Sequence, residues 1–188
     1  MILILASALA LFAAAQRPLP AHPAATDSTR YHDPDALRHY AQGRLLEERG
    51  DGEGAAGEYY RALISDPRSG ATARHISELA ARADDPSRSI EFARRALAVD
   101  SADARAHWLE GVALFKQGDR DGAVRALQTA VRLDSSSAEY LEALAHVAQE
   151  TGQLQLQEQT LRRLVEVHEE DAEAWFQIAA LSARRGRF

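Results

Sequence analysis

The sequence predicts an all-α protein built as a solenoid of antiparallel helix pairs, and three observations carry that prediction. Small and aliphatic residues fall into columns spaced thirty-four positions apart, and within each unit the apolar residues recur at three and four. Period-two alternation is nowhere sustained, so no strand is expected.

The chain has 188 residues, 46% of them hydrophobic and 27% charged, a balance that fits a packed domain and excludes wholesale disorder and a polytopic membrane protein. A formal net charge of -6 leaves no basic excess to neutralise a phosphate backbone, so no nucleic-acid partner is expected. Cysteine is absent, which removes disulfides, thiolate metal ligands and a cysteine nucleophile together. Asparagine is absent too, so no N-linked glycosylation acceptor exists.

Residues 1–15 are uncharged and apolar and end in Ala13-Ala14-Ala15 before Gln16, the small-x-small pattern of a signal peptide. No Lys or Arg precedes the apolar run, and no lipobox cysteine follows it. Fifteen residues fall short of the ~20 needed to span a bilayer, so export to the periplasm or medium is expected. An uncleaved signal anchor, with the domain facing the periplasm, is the alternative and the one expected route to a membrane. Residues 16–34 hold Pro18, Pro20 and Pro23 among small polar residues and read as a flexible Pro/Ala-rich spacer. The folded domain is expected over 35–188, with Asp33 or Pro34 marking the first helix start.

Within that domain Gly43, Ser77, Gly111, Ala145 and Ala179 form a column of small residues where two helices can approach closely. Gly50, Asp84, Gly118, Gly152 and Gly186 align at helix-ending positions. Leu63, Leu97, Val131 and Val165 form an aliphatic column, and Ala62, Ala96, Ala130 and Leu164 a second apolar one. The units are 36–69, 70–103, 104–137 and 138–171, followed by a partial repeat or capping helix over 172–188. In the fourth unit Gln157 stands where a small residue is expected, so its second helix should pack less tightly. The closing Gly186-Arg187-Phe188 resembles the start of another second helix, as in a longer array.

This pattern resembles the tetratricopeptide repeat: Gly43, Ala55, Tyr59, Ala62 and Pro67 in the first unit, and Gly111, Leu114, Ala123, Leu127 and Ala130 in the third, occupy its signature positions. The resemblance implies a right-handed superhelix whose concave groove, lined by the first helix of each unit, binds peptide segments of partner proteins. Carried over residue by residue, it points to Tyr40, Arg44, Arg74, Arg105, Trp108, Val112, Phe115 and His146 as the peptide-binding groove. Trp108, Val112 and Phe115 would form an apolar stripe, and Arg44, Arg74 and Arg105 would take acidic groups of the partner. Packing of Trp108 against a neighbouring helix is the competing expectation. The lysine and asparagine clamp that some members use for chaperone tails does not carry over, because its columns hold Tyr40, Arg44, His75, Arg105 and Leu109.

No chemistry is expected. Gly52-x-Gly54-x-x-Gly57 matches a dinucleotide fingerprint only formally, since it follows a helix and is expected at a turn between helices. Asp119 and Asp121 before Gly122 lack the further ligands of a calcium loop. The seven histidines include no i, i+4 pair, so neither a metal site nor a cofactor is expected. The function expected is therefore a non-catalytic scaffold or adaptor of the bacterial cell envelope. The alternatives are a self-associating assembly module using an uncovered edge at Trp175, Ile178 and Leu181, and the N-terminal part of a longer protein whose activity lies beyond residue 188.

Overall fold

A computed structural model describes residues 33–184, and over them the chain is a run of α-helices without a strand. The order is α1 (Pro34–Glu48), α2 (Gly52–Ser65), α3 (Gly70–Arg82), α4 (Pro86–Val99), α5 (Ala104–Gln117), α6 (Arg120–Leu133), α7 (Ala138–Glu150), α8 (Leu154–Val167) and α9 (Ala172–Arg184). The leader, most of the spacer and Gly186-Arg187-Phe188 lie outside the described residues.

Capping side chains set the helix starts. Asp33, Asp51, Ser69, Asp85, Asp103, Asp119 and Ser137 each accept a backbone N–H of the first turn, and Pro34 and Pro86 sit where a missing N–H does no harm. The acidic Asp119 is thus a helix cap, and Gly54 and Gly122 leave room for the capping carboxylates of Asp51 and Asp119. Gly52, Gly54 and Gly57 lie inside the first turns of α2 rather than at a turn between helices, because the Asp51 cap starts the helix earlier than the glycines suggest.

Each hairpin turns through a left-handed residue at the predicted helix-ending column: Gly50, Gly118 and Gly152 have φ of 79°, 88° and 70°, and Asp84 has 55°. The helices of a hairpin then meet at the small-residue column. A Cβ on Gly43 would lie 2.6 Å from the Tyr59 ring, and one on Gly111 2.7 Å from Leu127 Cγ. At the equivalent place in the second hairpin the Ser77 hydroxyl donates to the Ser89 carbonyl at 2.8 Å.

Between hairpins the aliphatic columns fill the core. Ala62, Ala96, Ala130 and Leu164 are fully buried, and Leu63, Val131 and Val165 are buried beside them. Buried Gln157 donates to Gln149 Oε1 at 3.0 Å, and α7–α8 is the most loosely joined hairpin, as the polar substitution leads one to expect. The C-terminal edge differs from expectation. Leu181 is buried and Ile178 packs on the core, because α9 lies against α8 with that side inward; Trp175 and Phe176 are its exposed large apolar residues, at 53% and 69%. None of the described helices is long and apolar enough to cross a membrane.

Packing at the small-residue column predicts opposite effects for two glycine substitutions. Gly111→Ala forces its methyl against Leu127 and should lower stability by about 1–2 kcal/mol despite the helix propensity gained. Gly57→Ala meets nothing within 4 Å and should raise stability by about 0.5–1 kcal/mol. Urea denaturation of both variants checks the pair.

Candidate functional site

The first helices α1, α3, α5 and α7 present one face in common, and the structure divides the expected groove residues along it into an apolar part and a charged part. The apolar part belongs to α5. Trp108 and Val112 are half-buried, rest on the core formed by α6, α7 and α8, and line a depression of ≈ 320 Å³ with Glu78, Arg82, Arg105, Lys116 and Glu139. Trp108 packs on Tyr140 with one side, ring centroids 6.1 Å apart, and still borders the depression. Its Nε1–H is buried without an acceptor. About two turns on, Phe115 meets the exposed His146 edge to face at 5.6 Å.

The arginines behave differently from expectation. Arg105 lies 4.2 Å from the Trp108 ring centroid, bonds Glu78 at 3.2 Å and pairs with Glu139. Arg74 pairs with Asp103 at 3.2 Å and Glu78 at 3.3 Å, and Arg44 lies 3.9 Å from Glu48. Carboxylates one turn away or on a neighbouring first helix already hold Arg74 and Arg105, so an acidic partner there would have to displace an internal ion pair.

Tyr40 is buried rather than groove-lining, with 8% of its surface exposed. Its ring packs on Tyr59 and His75 at 5.7 and 5.5 Å, and its hydroxyl is 3.0 Å from His75 Nε2. The Tyr59 ring stacks on His75 at 5.3 Å, and its hydroxyl donates to Glu47 Oε2 at 2.8 Å. Burial and the Glu47 carboxylate hold the Tyr59 hydroxyl far above its ordinary pKa, so it stays a donor. Arg82 takes the other Glu47 oxygen, Oε1, at 2.7 Å. Sequence patterns missed this cluster because its members come from two units; the i, i+3 pair His75-x-x-Glu78 was the one local sign of it.

Glu78 is the charged centre of the face. Burial alone pushes its carboxyl up, but the adjacent His75 imidazole, with the guanidiniums of Arg74 and Arg105 beside it, outweighs burial and brings it down to about 2. A carboxylate depressed on folding stabilises the fold above its unfolded value near 4.5, and that contribution disappears as the pH falls from there toward 2. Acid unfolding of the wild type should therefore lose on the order of 3 kcal/mol to this group across that window, while Glu78→Gln should start less stable at neutral pH and show a shallower decline. Denaturant melts at pH steps across the window measure it.

The tetratricopeptide repeat family model matches residues 76–138 and again 109–166. Solved structures share the fold. MamA superposes with a TM-score of 0.74 at 21% identity over 81% of this chain and 83% of its own. YrrB, a tetratricopeptide repeat protein with an unusual peptide-binding site, gives 0.71 at 18% identity over 81% and 78%. The first tetratricopeptide repeat domain of Spaghetti, bound to an HSP90 peptide, gives 0.61 at 17% identity over 63% and 94%. No curated protein shows a significant sequence match. With a family model matched twice, residues 76–166 of this chain are tetratricopeptide repeats, and the helix pairs on either side, of the same length, continue the same fold.

Proposed function

We propose that the protein is a non-catalytic scaffold that holds a peptide segment of a partner protein in its concave groove. The observation that carries this is the apolar step at Trp108 and Val112, half-buried beside an open depression and continued by Phe115 and His146. An apolar side chain inserted against Trp108 would lose water on both faces of the contact. Peptide binding by the solved neighbours YrrB and Spaghetti supports the same use of the fold.

The partner we infer presents an apolar residue flanked by charge of either sign, since Arg105 and Lys116 stand beside Glu78 and Glu139. The apolar residues 1–15 support placing this scaffold in the cell envelope, reached through a signal peptide or held by an uncleaved anchor. Self-association is the second reading, favoured by the exposed Trp175 and Phe176 on α9.

Partners recovered from an envelope extract by the wild type should be lost, by about tenfold or more, on the Trp108→Ala, Phe115→Ala double variant that keeps its helical circular dichroism. Equal recovery by both removes the groove assignment. For self-association, light scattering at high concentration should give a dimer mass that Phe176→Ser returns to the monomer; a monomeric wild type rules that reading out.

A further inference from the structure

Glu47 from α1 and His75 and Glu78 from α3 converge at the joint between the first and second hairpins, and their ligand atoms all lie within 4.8 Å of one another. His75 is 7% exposed, and its Nδ1 is buried with no hydrogen bond. That nitrogen faces Glu78 Oε2 at 3.3 Å and Glu47 Oε2 at 3.6 Å. We propose that these three side chains form a binding site for one divalent transition-metal cation of the zinc type, which clasps the first hairpin to the second.

Geometry supplies the first argument. Bonds of ~2.0–2.1 Å at tetrahedral angles set ligand atoms ~3.3–3.4 Å apart, close to the two separations from Nδ1. The surroundings supply the second. Arg82 takes Oε1 of Glu47, and Arg74 and Arg105 take Oε1 of Glu78, so both carboxylates are oriented from behind with Oε2 turned toward Nδ1. Tyr59 fixes Glu47 further, and Tyr40 stands at Nε2 to accept the ring hydrogen once Nδ1 is a ligand.

Charge supplies the third. The network sets the carboxylates of Glu47, Glu78, Asp103 and Glu139 against the guanidiniums of Arg74, Arg82 and Arg105, a surplus of one negative charge around the imidazole. Entry is open from both sides, because Glu47 borders a depression of ≈ 620 Å³ between the two hairpins and Glu78 borders the groove at Trp108. One nitrogen and two carboxylate oxygens, with water as a fourth ligand, suit zinc and its neighbours better than magnesium or calcium. This site is independent of whether a peptide occupies the groove.

Calorimetric titration of the full chain with Zn²⁺ at about pH 7.5, paired with Co²⁺ absorption in the visible, tests the proposal. One equivalent should bind, with the d–d bands of a four-coordinate site and a raised thermal midpoint, and His75→Gln should weaken binding by about tenfold or more. Were His75→Gln to unfold by circular dichroism, Glu47→Gln, which leaves the ring in place, should show the same loss. No stoichiometric binding by the wild type, or undiminished binding by a folded variant, overturns the site.

Discussion

A helical hairpin of this length cannot shield its apolar face from water unaided, and the structure follows from the way that face is covered by the next hairpin. Two distances have to be short. Within a hairpin, Gly43, Ser77, Gly111 and Ala145 let the helices close to the separation at which Tyr59 or Leu127 fills the gap a side chain would otherwise occupy. Between hairpins, Leu63, Val131 and Val165 with the alanines beside them complete a core whose two clusters run from α1 to α5 and from α4 to α9. Positioning of the groove is a by-product: the first helices lie side by side because the second helices pack behind them.

Polar chemistry is densest at one joint of this scheme. Between the first two hairpins the chain places three rings, Tyr40, Tyr59 and His75, and surrounds them with carboxylates and arginines. The result is a groove with two characters. Its N-terminal half is a closed ion-pair network in which each guanidinium is already engaged, and its middle is an apolar step at Trp108 where an indole N–H is left without a partner. Electrostatics there holds neighbouring hairpins in register, and the apolar step is what a ligand can occupy.

The helices were legible because their determinants are local and periodic. Asp51, Asp85 and Asp119 cap successive second helices at the thirty-four-residue spacing, and the column of Gly50, Asp84, Gly118 and Gly152 marks each left-handed turn. Even the loosened fourth hairpin was visible in Gln157. The site was only half legible. A column says which face Arg74 and Arg105 occupy, but not that Asp103, Glu78 and Glu139 neutralise them across helix boundaries. Likewise Tyr40 sits in a groove column yet is buried, because His75 from the next unit supplies both a ring to pack on and a nitrogen for its hydroxyl. Pair interactions between units carry no fixed spacing, so they became visible only in three dimensions.

Since each hairpin is stabilised by the neighbours that cover it, protection of the backbone should depend on position in the stack. Native-state hydrogen exchange resolved by helix measures that directly. Amides of α4, α5 and α6, covered on both sides, should exchange most slowly, with protection falling toward α1 and toward α9, whose Trp175 and Phe176 are uncovered. Protection of α9 equal to that of α5, or exchange through a single opening common to all the helices, would contradict a fold held together by nearest neighbours.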